Sequence, residues 1–154
     1  MTKAFDRDLW FIGLAQHVSL RSRDTNSKFG AVIAGSDHVI RSVGWNDFPR
    51  GVMDELHKER RDPPLKYVWT EHAERNAIYN AARNGVSTVG CHMYINSTPC
   101  CDCARAVIQA GIVRLVCKRP DWDPETAEGW RALVPHSLQM FTEAGVEVCY
   151  YDEE

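Results

Sequence analysis

Apolar side chains recur at helical spacing through the first twenty residues. Trp10, Leu14 and Val18 lie four apart with Phe11 and Ala15 beside them, which predicts an amphipathic helix over 6–21. The pattern then shortens. FGAVIAG at 29–35 and HVIRSVGW at 38–45 read as two strands joined by a Gly-Ser-Asp turn. A polar stretch with prolines at 49, 63 and 64 fills 46–71. It is long for a connection in a compact domain, and such stretches form lids, binding loops or contact surfaces. Ala73, Ala77, Ile78, Ala81 and Ala82 predict a helix from 72 to 84, stopped by Asn84-Gly85. CHMYINS at 91–97 predicts a strand, Pro99 opens a helix that runs to Ala110 and ends at Gly111, and RLVCK at 114–118 predicts a further strand. A helical stretch interrupted by Pro135 then leads to Gly145, and VEVCYY is the last strand. Helix, two strands, then strands alternating with helices is the order of a layered α/β domain with a partly parallel sheet.

The chain has 154 residues, which suits one domain over 1–154, and its 44% apolar and 25% charged residues are ordinary globular usage. The net charge is −3 with the basic residues dispersed, so a nucleic-acid partner is not expected. No apolar run approaches the roughly 18–20 residues that span a bilayer, so no membrane partner is expected either. MTKAFDRDLWFIGLAQ has Asp6 and Asp8 ahead of its apolar stretch and no small-residue cleavage site, unlike a signal peptide. These features suggest a soluble, cytoplasmic protein.

Six cysteines would allow a disulfide framework, but Cys100, Cys101 and Cys103 sit within four residues, and such close neighbours pair poorly as structural bridges. Cys91, Cys117 and Cys149 sit in apolar, β-prone segments, where cysteine behaves as a small hydrophobe. The tight cluster therefore reads as metal-binding or redox-active. Cys100 and Cys103 fall on one side of a helical turn, and a helix N-terminus favours thiolates. With His72, at the start of the preceding helix, they make a ligand set suited to zinc, with a fourth tetrahedral position open to water. Glu74, two residues from His72, points away from the ligand face and reads as a neighbour of that fourth position.

Either segment alone is weak. Cys-x-x-C is equally a redox pair or two core cysteines. Together, His72-Ala73-Glu74 and Pro99-Cys100-Cys101-Asp102-Cys103 match the H-x-E…P-C-x-x-C signature of zinc-dependent deaminases. In that reading zinc activates water, and Glu74 moves the water proton to a ring nitrogen and in a second transfer protonates the departing amine. A closed structural zinc site, with Glu74 or Cys101 as fourth ligand, is the alternative.

HAERNAIYNAARNG and CHMYINSTPCCDCARAVIQAGI, with GWNDFPRG and RSRDTNSKFGAVI upstream, resemble the deoxycytidylate (dCMP) deaminase family over about 9–118 and more loosely to 151. The resemblance implies the cytidine-deaminase-like three-layer α/β sandwich, a five-stranded mixed sheet flanked by helices. It implies deamination of dCMP to dUMP in pyrimidine deoxynucleotide metabolism, with His72, Cys100 and Cys103 on one Zn2+ and Glu74 as proton shuttle. The Ala73 amide would hold the pyrimidine O2 and the Thr98 carbonyl the exocyclic amine. Asn46 would contact the deoxyribose, and Asn26 and Lys28 are candidates for the phosphate. A turn residue or a solvated charge would look the same at 26, 28 and 46.

In place of the family's D-x-Y tyrosine stands Trp122, in Pro120-Asp121-Trp122. It can stack on a base or sugar, but its indole donates one hydrogen bond and accepts none. The resemblance also implies a homo-oligomer, commonly a hexamer, with dCTP and dTTP as effectors and Mg2+ accompanying a nucleotide effector. Arg50, Asp54 and Arg60-Arg61 are charged groups of the 46–71 stretch that read equally as a solvated loop. Other readings stay open: a deaminase of another small amine-bearing base, nucleoside or modified nucleotide, a polynucleotide-editing deaminase, and a zinc-binding module without turnover.

Overall fold

The computed structural model describes residues 6–52, 55 and 57–151; Asp54 lies outside them. Helix α1 (Arg7–Ser19) is followed by strands β1 (Gly30–Ala34) and β2 (Ile40–Trp45). A short helix α2 (Lys66–Trp69) precedes α3 (Ala73–Arg83). Strand β3 (His92–Ile95), helix α4 (Cys101–Gln109), strand β4 (Arg114–Lys118), helix α5 (Val134–Ala144) and strand β5 (Glu147–Tyr151) complete the chain. The sheet order is β2-β1-β3-β4-β5, antiparallel across β2, β1 and β3 and parallel from β3 to β5. The five-stranded mixed sheet is therefore as expected, and the β3–α4–β4 and β4–α5–β5 crossovers supply its parallel half.

Strand alternation sorts the core into two layers. Ala31, Ile33, Met93, Ile95, Leu115 and Cys117 face α3, α4 and α5. Val32, Ala34, Tyr94 and Val116 face α1. Gly44 is required by this packing, because a Cβ there would lie 2.2 Å from Ala77 N and 2.5 Å from Ala73 O. Thus α3 presses its backbone onto the edge strand β2. Asn76 Nδ2 and Asn80 Nδ2 donate to Trp45 O and Val43 O, each at 2.8 Å, which gives β2 carbonyls partners from α3.

Three elements differ in detail from expectation. Helix α1 buries Phe11, Ile12, Ala15 and Ser19, while Trp10 stays 46% exposed, so its buried stripe is rotated past the Trp10–Leu14–Val18 line. Pro135 lies in the first turn of α5 and starts that helix instead of interrupting it, since a missing N–H costs nothing there. Residues 46–71 include a 3-10 turn at Lys58–Arg61 and α2. All six cysteines are free; Cys91 and Cys117 are buried as expected, while Cys149 is half-buried.

Candidate active site

The register fixes where the chemistry gathers. Ala31 pairs with Ile95 and Gly30 with Trp45, so the end of β3, the start of β1 and the end of β2 lie at one end of the sheet. The helices that follow begin there. His72 is the N-cap of α3 and Cys100 the N-cap of α4, both with extended backbone and neither making a side-chain cap bond. The two helix starts thus carry ligand-type side chains where Ser, Asp or Asn would ordinarily stand. Their first-turn N–H groups lack intrahelical partners and favour negative charge between them.

His72 Nδ1 lies 3.5 Å from both Cys100 Sγ and Cys103 Sγ. The three ligand atoms fall within 4.8 Å of one another, the single such group among the described residues. Two sulfurs and an imidazole nitrogen fit zinc and do not fit Mg2+, which takes oxygen donors. The Cys103 hydrogen bond holds the Cys100 thiol down at about 4 against the opposing effect of burial, and His72 adds to the lowering. Its counterpart Cys103 is pushed well up, by that same shared hydrogen bond and by burial. Bonding to Cys100 raises His72 against its burial.

Glu74 is 3% exposed, and burial pushes its carboxyl up, with the charge of His72 opposing. It is hydrogen-bonded beside Cys103 but lies outside the ligand group. A carboxyl whose neutral form is favoured in this way is suited to accepting a proton and giving it back. Cys101 Sγ donates instead to Leu133 O at 3.3 Å, away from the ligand pair. Ala73 is buried as the first residue of α3. Thr98 is buried in the turn into α4, its Oγ1 donating to Lys118 O at 2.9 Å.

The 22–29 turn lies at the same end of the sheet. Asn46 Oδ1 accepts from Phe29 N and its Nδ2 donates to Ser27 O, each at 2.8 Å, so this buried amide ties the turn to β2. One lone pair and one N–H of its carboxamide are left beyond these bonds. Lys28 Nζ donates to Ser22 O at 2.7 Å, and Asn26 is exposed. Asp24 was not anticipated from sequence. Its Oδ1 accepts from the N–H groups of Asn26 and Ser27, and its Oδ2 is 2.8 Å from Lys66 Nζ of α2. The Asp-x-Asn-Ser turn was the available signal for those N–H bonds.

Arg61, in the 3-10 turn, donates to Arg23 O at 2.8 Å, so the 46–71 stretch is strapped onto this turn. Trp122 stands edge-on to Trp130 at 5.5 Å, with the Arg131 guanidinium 5.2 Å from its ring, in the connection between β4 and α5. A cleft of about 570 Å³ lies along the outer side of β2, lined by Arg21, Arg23, Trp45, Phe48, Arg50 and Asn76. Bases that look dispersed in sequence are therefore partly gathered here, although Arg23 is paired to Asp47 at 2.9 Å and Arg50 donates to Asn80. No helix among the described residues is long and apolar enough to cross a membrane.

Comparison with known proteins bears on this arrangement. The family model for the cytidine and deoxycytidylate deaminase zinc-binding region matches residues 6–119. The chain is 36% identical over 140 residues to a protein of Aliivibrio fischeri named "Uncharacterized deaminase in luxG 3'region", covering 91% of this chain and 90% of that one. It is 38% identical over 111 residues to deoxycytidylate deaminase of Homo sapiens, covering 70% of this chain and 61% of the human protein. The aligned part is thus less than two thirds of the human enzyme. Among solved structures, apo dCMP deaminase from the cyanophage S-TIM5 superposes with a TM-score of 0.72 at 22% identity, covering 94% of this chain and 96% of that one. That likeness bears on the fold.

Proposed function

Because the chain belongs to the cytidine and deoxycytidylate deaminase family, we propose that it is a zinc-dependent hydrolase that converts dCMP to dUMP and ammonia. The observation that carries this reading is the meeting of His72 Nδ1 with two cysteine sulfurs at the starts of α3 and α4, with buried Glu74 beside them. His72, Cys100 and Cys103 would hold the zinc. When bound, zinc supplies a Lewis acid that makes water a competent nucleophile near neutral pH.

The chain's own residues do the rest. Glu74 takes a proton from the attacking water and delivers it to the pyrimidine ring nitrogen. Glu74 then takes the second proton from the hydroxyl now on the ring carbon. As the C–N bond to the exocyclic amine breaks, it hands that proton to the leaving nitrogen, so that ammonia departs and a carbonyl remains. The Ala73 N–H orients the pyrimidine O2, and the Thr98 carbonyl accepts from the amine. Asn46 has one N–H and one lone pair left for the sugar. The 22–29 turn, with Asn26 and Lys28, receives the 5′-phosphate, and Trp122 stacks on substrate from the β4–α5 connection. One sheet and its helices, over 7–151, support reading the chain as one deaminase domain. Resemblance to the family supports a homo-oligomer, regulation by dCTP and dTTP, and a role in pyrimidine deoxynucleotide supply.

Ammonia release over cytosine, cytidine, deoxycytidine, dCMP, dCTP and single-stranded oligonucleotides tests the substrate. Deoxycytidine lacks the phosphate contacts, a loss of about 2–4 kcal/mol, so dCMP should be preferred about 30- to 1000-fold in kcat/KM. Equal use of deoxycytidine overturns the phosphate assignment. Preference for the oligonucleotide would place the gathered arginines of the β2 cleft in a strand-binding role.

A further inference from the structure

The proposed ligands sit on two separate helix starts, 28 residues apart between His72 and Cys100. One side chain reaches across from the first to the second. Arg75, in the first turn of α3, has Nε 2.5 Å from Glu71 Oε1 and Nη1 3.5 Å from Asp102 Oδ2. The same Glu71 Oε1 accepts the backbone N–H of His72 at 2.9 Å. Glu71 is in turn fixed to the end of β2, its N–H donating to Asp47 O at 2.8 Å and its carbonyl accepting from Asp47 N at 3.1 Å. Asp102 stands between Cys101 and Cys103 in the first turn of α4 and also meets Arg105. A continuous polar link therefore runs from β2 through Glu71 and Arg75 to the helix that bears both sulfurs.

We propose that Arg75 is a positioning residue that bridges the starts of α3 and α4 and thereby sets the spacing of His72 against Cys100 and Cys103. The inference rests on the zinc reading above. A guanidinium suits the task because its planar fork can meet two carboxylates on different edges at fixed angles, which an ammonium cannot do. The side chains of Arg75 and Glu71 are 19% and 21% exposed, so this part of the link is shielded from water and salt. Residues that orient metal ligands from behind typically change metal affinity 10- to 100-fold when removed.

The test is transfer of zinc from the loaded protein to a chromogenic chelator, with melting of each variant as a check on folding. Arg75→Gln should release zinc about 10- to 100-fold faster than the parent. Arg75→Lys, which keeps the charge and loses the fork, should release it nearly as fast as the glutamine variant. Asp102→Asn, at an exposed position, should also release zinc faster, and combining it with Arg75→Gln should add little, because both cut one link. It keeps the test open if Arg75→Gln does not fold. Parental release by Arg75→Gln, or full rescue by lysine, overturns the bridge while leaving the zinc reading intact. A parent chain that binds no zinc overturns both.

Discussion

Glu74 separates a catalytic site from a closed structural one. It lies buried beside Cys103 yet outside the ligand group. If Glu74 carries the protons as proposed, Glu74→Gln should keep its zinc and its fold and lose about 10²- to 10⁴-fold in kcat. Zinc analysis and single-turnover rates on one preparation check this, and loss of zinc would favour the structural site. At the 22–29 turn, Lys28→Ala and Asn26→Ala should each cost about 2 kcal/mol, or about 30-fold in kcat/KM, for dCMP and far less for deoxycytidine. Equal losses on both substrates contradict the phosphate role. The meeting of His72 with Cys100 and Cys103 is legible in sequence because each belongs to a short motif that opens a helix. The Asp24–Lys66 pair and the Glu71–Arg75–Asp102 link are not, since their partners meet only once the 46–71 stretch folds back and the two helices converge.

At the scale of elements, the placement of α3 depends on Gly44. Gly44→Ala would drive a methyl into the Ala73 and Ala77 backbone, so α3 must lift from β2 and carry His72 with it. A loss of about 1–3 kcal/mol in urea unfolding, together with weaker zinc retention, is expected. Parental stability would mean that α3 does not rely on this contact. The sequence pattern, in apolar runs together with the Pro, Gly and Asn signals at their ends, found every long helix and every strand among the described residues. It missed the short 3-10 turn and α2, where side-chain anchors such as Lys66 on Asp24 and Arg60 over the Trp69 ring set the backbone. It also misjudged the α1 face, because Trp10 and Phe11 compete for one stripe and stacking of Phe11 on Tyr94 at 4.5 Å decides it.

Across the whole molecule the sheet separates chemistry from anchorage. The His–Cys set and the 22–29 turn gather at one end of the strands, while at the other end Asp8 of α1 takes a two-pronged contact from Arg114 of β4 at 2.8 and 2.9 Å. This guanidinium holds the Asp8 carboxyl below its ordinary 3.8, with burial opposing. A carboxyl depressed in the fold contributes stability that is full above its unfolded value and lost as pH falls through the folded one. Tm should therefore drop on acidification below about pH 4. Asp8→Asn should lower Tm at neutral pH and flatten that acid limb; an unchanged limb would show that the pair contributes nothing.

One titration tests the metal set and the reaction together. Metal-stripped protein is reloaded with graded zinc and its ammonia release from dCMP is plotted against zinc per chain. The account predicts a rate that rises in proportion to occupancy and saturates at one zinc per chain, with dUMP formed in equal amount to the ammonia. A rate independent of zinc, or no ammonia from dCMP at full occupancy, would contradict it.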